Sequence, residues 1–173
     1  MIAGLLLATL LLVATIPTVV ATCAKEIRVN DVQQFFIALG DSTVDCISIS
    51  AGQYNLLDTI VLTRNVTLAA WGGAAVLDAG GQGQVMHIAI GANVQLIGLH
   101  ITGGCLGGCG WVPKGGDPQG AGILNDGILA VLNCSVYGNK VQNGGGGGGG
   151  IWNAGTLSMK NSVVHDNLCH HFT

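Results

Sequence analysis

Charge is scarce in this sequence. Six Lys/Arg and nine Asp/Glu are 9% of 173 residues and leave a net charge of −3. No basic cluster exists to meet a phosphate backbone, which excludes electrostatically driven nucleic-acid binding. A polybasic membrane patch is excluded for the same reason. Aromatics are few as well, at 5%, and there are three prolines. Apolar residues nevertheless reach 49%, with 29 glycines, so the chain is not of the disordered class and has room for one domain.

Paired catalytic groups are also missing. Asp58, Asp78, Asp117, Asp126 and Asp166, with Arg64, Lys114, Lys140 and Lys160, are dispersed, whereas a glycosidase needs two carboxylates at a defined separation. Two glycine-rich segments, Trp71-Gly72-Gly73 and Gly80-Gly81-Gln82-Gly83, read as turns. Neither leads into a helix with the Lys-Ser/Thr of a phosphate loop, and the second lacks the aspartate that calcium-binding nonapeptide repeats require. Asn125-Asp126-Gly127 reads as another turn. His87 and His100 look isolated on apolar strands, and His165, Asp166, Cys169, His170 and His171 read as a chain end. A zinc site built on the last group is the sharper alternative. The expectation is no catalytic residue, no cofactor and no metal.

Residues 1–21 carry no charged side chain, run through Leu5–Leu7 and Leu10–Val13 to Pro17, and end with Val19 and Ala21. This is a signal peptide cut after Ala21, with an uncleaved anchor as the alternative. No other membrane association is expected. Six cysteines follow it, in a chain that would meet an oxidising compartment, where disulfides are the default. Two pairings have a mechanism. Cys23 with Cys46 would staple the new N-terminus to the first strand, and Cys105 with Cys109 would cinch one loop.

A repeat dominates the rest. Gly122, Ile123, Asn125, Gly127, Leu129, Val131, Asn133, Val136 and Asn139 recur as Gly150, Ile151, Asn153, Gly155, Leu157, Met159, Asn161, Val164 and Asn167, each displaced by 28. Asn65, Val66 and Leu68 recur at the same displacement as Asn93, Val94 and Leu96. From Val94 to Leu129 the step is 35, so seven residues are inserted, within the stretch from Cys105 to Gln119. The apolar residues come in short runs of period two. No hairpin signal and no crossover helix joins them. The remaining architecture is a solenoid whose equivalent strands stack in parallel, with Leu129 over Leu157 and Ile123 over Ile151. Asn133 over Asn161 and Asn139 over Asn167 would form amide ladders at the corners.

These motifs, Gly150-Ile151-x-Asn153-x-Gly155-x-Leu157 and Asn161-Ser162-x-Val164-x-x-Asn167, resemble the coil consensus of right-handed parallel β-helix proteins of the pectin-lyase-like superfamily. They are particularly similar to the glycine-rich repeats of polymorphic outer-membrane and autotransporter-type proteins. The resemblance covers residues 44–173 and implies an all-β, right-handed parallel β-helix of four to five coils, truncated at its C-terminus. It also implies a surface-exposed role. Residues 22–43 form a separate N-terminal segment: Val29, Val32, Phe35, Phe36 and Leu39 have helical spacing, with Asn30 or Asp31 to cap the helix and Gly40 to end it. This helix would cover the open end of the first coil.

The insertion is the candidate binding element, because a solenoid tolerates extra residues only at corners. Trp111 beside Lys114 could stack on a sugar ring; alternatively Trp111 folds back over the coil. Asn65 and Asn133 match the N-glycosylation pattern, with Asn65 the better acceptor because a ladder would occupy Asn133. The expected protein is secreted or displayed on a cell surface, structural or adhesive, with an extracellular glycan or surface protein as partner. A carbohydrate-active enzyme on the same fold, a polysaccharide lyase, a glycoside hydrolase or a degenerate relative of either, is the alternative.

Overall fold

A computed structural model describes residues 23–107, 119–142 and 147–170. The described residues are mostly β, with one helix. β1 (Glu26–Val29) and α1 (Val32–Gly40) precede the strands of the repeats. These are β2 (Cys46–Asn55), β3 (Ile60–Leu62), β4 (Val66–Asp78), β5 (Met86–Ile88), β6 (Asn93–Ile97), β7 (Leu99–Thr102) and β8 (Cys105–Leu106). The next four are β9 (Ile123–Asn125), β10 (Ile128–Leu132), β11 (Ser135–Tyr137) and β12 (Lys140–Gln142). The last four are β13 (Ile151–Asn153), β14 (Thr156–Lys160), β15 (Val163–His165) and β16 (Leu168–His170).

The strands form three sheets, ordered β14-β10-β6-β4-β7-β11-β15 with β1 and β2 attached, β13-β9-β5-β3, and β16-β12-β8. All pairings between these strands are parallel. β1 and β2 are consecutive and pair across the α1 crossover. From β2 onward consecutive strands do not pair with one another, and each finds its partner one repeat away, as a parallel ladder without helical crossovers requires. β4 joins the two branches of the largest sheet, pairing through Val66–Ala69 with β6 and through Ala75–Asp78 with β7.

The register carries the repeat. Leu129 pairs with Leu157, Ile123 with Ile151 and Val136 with Val164, each 28 positions on. Val66 and Leu68 pair with Val94 and Leu96. The insertion has the size the sequence indicates. Ile123 stands beside Met86, 37 positions back, while Leu129 stands beside Val94, 35 back. Leu106 to Ile123 spans 17 positions and their partners Val141 to Ile151 span ten, so seven residues are added between β8 and β9. The other two lie between β5 and β6, where Ile88 to Val94 spans six positions against four from Asn125 to Leu129. The spacing also tightens towards the N-terminus, where Ile47 pairs with Leu68 only 21 positions on.

Alternate side chains point inward, and Ile47, Leu68, Leu96 and Val131 are fully buried in one apolar column. In the last repeat the equivalent positions open: Met159 is 38% and Val164 45% exposed.

The glycines and asparagines of the repeat meet in space. A Cβ on Gly122 would lie 2.4 Å from the Gly150 carbonyl and 2.9 Å from Asn139 Nδ2, and one on Gly150 would lie 2.7 Å from Asn167 Nδ2. Only glycine allows that approach. The predicted ladder of Asn139 over Asn167 is present, with Asn139 Nδ2 donating to Asn167 Oδ1 at 2.9 Å. A second joins Asn125 to Asn153. At Asn133 and Asn161 the expected amide pair is replaced by backbone: both adopt φ 52, and Asn133 N–H donates to the Lys160 carbonyl at 3.1 Å. Asparagine tolerates this left-handed conformation better than most residues.

The N-terminal segment departs from expectation. It contributes β1, whose four residues pair with β2, before the helix begins. Val29, which the helical spacing included, belongs to this strand instead. The helix itself is capped by Asp31, whose Oδ1 accepts from Gln34 N–H at 2.8 Å, while Gln34 Oε1 accepts from Asn30 N–H at 3.2 Å. Phe35 and Ala38 bury its inner face. At its far end Arg64 donates to the Leu39, Asp41 and Val44 carbonyls, placing a cation where the helix dipole is negative. Trp71-Gly72-Gly73, expected as a turn, lies inside β4. There Gly72 has φ 76, and the register against β2 shifts between Ser50 and Gly52.

The expected Cys23–Cys46 disulfide is formed, a bond characteristic of a non-cytoplasmic compartment. Beside it the Lys25 and Ala24 N–H groups each donate to the Asp45 carboxylate at 2.8 Å and hold its pKa below the ordinary aspartate value. A carboxyl depressed by folding stabilises at pH above its unfolded pKa and loses that contribution as pH falls through its folded pKa. Hydrogen exchange should accordingly show Ala24 and Lys25 amides protected at neutral pH and released in acid, and Asp45→Ala, which removes both acceptor oxygens, should release them at both. Truncating the column by Leu96→Ala should cost about 2–5 kcal/mol in denaturant unfolding.

Candidate functional site

The inserted segment leaves β8 and returns at β9. Cys105 at its start is disulfide-bonded, and Gly83 bridges to Cys105. At its end the Gln119 and Gly120 carbonyls accept from Gln84 Nε2 at 3.0 and 2.7 Å. Both ends are therefore fastened to the preceding repeat. Cys109, Trp111 and Lys114 lie outside the described residues. So does His171, and the terminal cluster is dispersed: His165 is on β15, while Cys169 and His170 lie on β16 in register with Val141 and Gln142. Among the described residues no group of three His, Cys, Asp or Glu could hold a metal.

Three outer faces gather polar and aromatic side chains. On the first, Arg28 lies 4.5 Å from the centre of the Trp71 ring, with Glu26 3.6 Å from Arg28 and bonded to Ser48 at 2.6 Å. Arg28 and Trp71 reach over β2 from either side, so this cation–π contact clasps three strands. The second face holds Val61, His87, Leu124 and Trp152 in one row across β3, β5, β9 and β13. His87 is not isolated, since its Nε2 meets Asp126 Oδ2 at 2.9 Å.

The third face spans β7, β11 and β15. Ser135 stands between His100 and Val163 in the ladder, and Tyr137 stands beside His165. The Tyr137 and His165 rings stack at 5.3 Å with planes 14° apart, and His100 meets the edge of Tyr137 at 6.1 Å. Ser135 Oγ lies 3.1 Å from His165 Nε2, and His165 Nδ1 lies 2.8 Å from Asp166 Oδ2. His100 too is therefore not isolated. This cluster escaped the sequence because Ser135 and His165 are 30 positions apart, two more than a repeat. The comparison of equivalent positions passes over such a diagonal pair.

Both glycosylation candidates are exposed. Asn65 Oδ1 accepts from Asn93 N–H at 3.0 Å, so the residue expected to be the better acceptor also belongs to a corner ladder, through its oxygen and not through the Nδ2 to which a glycan attaches. An apolar groove of about 410 Å³ runs beside α1 between Phe36, Ile37 and Leu57. Cys134 is a buried thiol with its pKa raised by desolvation.

No family model matches the chain, and neither a curated protein nor a solved structure matches it. Among the described residues no helix is long and apolar enough to cross a membrane.

Burial makes the Cys134 thiol a probe of the packed state, because only the thiolate alkylates. Iodoacetamide should modify it at least about tenfold more slowly in the native chain than in denaturant. A single unprotected rate in both states would contradict the packing around it.

Proposed function

We propose that the chain is a right-handed parallel β-helix, secreted or displayed on a cell surface, that serves as a stiff adhesive scaffold and binds an extracellular glycan. The observation that carries this reading is the fastened insertion. Seven residues are added at one corner between β8 and β9, yet β10 and β11 keep their parallel partners on β6 and β7. A stack of this kind separates stability from recognition, since the ladders hold the fold and a corner loop is free to vary. Trp111 and Lys114 within that loop supply an aromatic face and a cation, the pair of groups that suits a hydroxylated ring.

Further support comes from the Cys23–Cys46 disulfide, which belongs to an oxidising compartment, and from the uncharged segment at residues 1–21. The resemblance of the repeats to pectin-lyase-like surface proteins points the same way. A glycan array is the direct test. The disulfide-intact protein should retain a defined set of glycans, with binding weakened at least about tenfold by Trp111→Ala and less by Lys114→Ala. Retention of no glycan by the native protein, or binding indifferent to both substitutions, would overturn the assignment.

A further inference from the structure

We propose that Ser135, His165 and Asp166 form an acyl-transfer site that cleaves small carboxylic esters. The inference goes beyond the binding role and does not depend on it. A hydroxyl near an imidazole is an ordinary surface contact; here both ring nitrogens are committed. Asp166 Oδ2 accepts a hydrogen bond from Nδ1–H at 2.8 Å, leaving the Nε2 lone pair directed at Ser135 Oγ 3.1 Å away. Hydrogen bonding at one nitrogen sets the tautomer at the other. The ring cannot swing freely, because Tyr137 stacks on its face.

The departure of the last repeat from its predecessors gives a second, independent observation. The corner after β7 and the corner after β11 turn on left-handed glycines, Gly103 at φ 73 and Gly138 at φ 66. In the corresponding place after β15 stands Asp166, at φ 52. Aspartate, like the asparagines at Asn133 and Asn161, tolerates this conformation better than most residues, though less freely than glycine. What the aspartate gains is its bond to His165, itself placed where the earlier repeats have Tyr137 and Thr102. Of these three corners only the last carries a carboxylate, and only there does an imidazole stand beside it to receive it.

The chemistry balances with water as the only co-reactant. Ser135 Oγ forms a bond to the ester carbonyl carbon as its proton passes to His165 Nε2, and the carbonyl π pair moves onto oxygen. The oxyanion collapses, the bond to the alcohol oxygen breaks, and the alcohol leaves with the proton from Nε2. Water then attacks the acyl-Ser135 with the same base, releasing the acid and restoring the serine. His100, in register with Ser135 on β7, offers an imidazole N–H to the oxyanion. Asp166 is 86% exposed, so it orients His165 more than it stabilises charge. The open sheet face suits an ester borne on an extended chain, such as an O-acylated sugar.

The test uses the full chain and a fluorophosphonate probe, whose P–F bond breaks as Ser135 Oγ bonds phosphorus. Intact mass and peptide mapping should show one adduct, on Ser135, absent from Ser135→Ala. His165→Ala should slow labelling at least about a hundredfold, with hydrolysis of p-nitrophenyl acetate falling in parallel. Asp166→Gly copies the glycine of the preceding corners, so it should leave thermal unfolding unharmed while slowing labelling by a smaller factor. An adduct elsewhere, no adduct, or labelling of Ser135 that ignores His165→Ala would each overturn the proposal. A blank glycan array would leave the labelling result standing.

Discussion

Each strand in this chain satisfies its backbone through a parallel partner in the neighbouring repeat. The hydrogen bonds of a parallel ladder are evenly spaced and need equivalent strands to run in one direction at about 4.8 Å. From that follow both the side-chain columns and the constraint on what can change. A residue facing inward meets its own equivalent, so Leu129 lies beside Leu157 and Val66 beside Val94. Residues can be added only where the backbone leaves the ladder. The added residues before β9 occur at such a place, and β10 and β11 resume their partners on β6 and β7.

The corners solve a second problem. Where the chain turns between sheets its N–H and C=O groups leave the ladder, and buried backbone groups need partners. Asn139 Nδ2 therefore donates to the Ile101 and Tyr137 carbonyls, and Asn139 Oδ1 accepts from Gly104 N–H. Glycine is required beside it because a Cβ on Gly104 or Gly122 would run into the carbonyl of the neighbouring repeat first and the Asn139 amide next. The Gly and Asn of the repeat are two halves of one contact.

Chemistry on such a scaffold arises across strands. Ser135 and His165 come from different repeats, and Tyr137 and His100 complete the row. His87 and Asp126 are paired in the same manner on another face. A scarcity of charge, which speaks against a carboxylate-based polysaccharide enzyme, leaves this imidazole cluster untouched, because it needs one carboxylate only.

Much of the architecture was legible in advance because a repeat with period-two apolar runs has few ways to bury itself. The parallel pairing follows from the repeat and the capped helix over Val32–Gly40 from its spacing, while the Cys23–Cys46 bond was one of two pairings with a mechanism that the sequence could not choose among. β1 was not legible, since Glu26–Val29 gains its strand character from pairing with β2 rather than from its own sequence. The seven-residue insertion was legible in the step from Val94 to Leu129, whereas the two extra residues between β5 and β6 show only in the register of β5 with β9. The outer-face clusters were hidden for a simpler reason: linear spacing reports which residues are equivalent, whereas contacts such as Ser135 to His165 depend on how far each side chain leans along its strand. Sequence by itself determined the period, the inward residues and the direction of the ladders. Tertiary structure alone decided which outward side chains meet, because that depends on register and rotamer rather than on period.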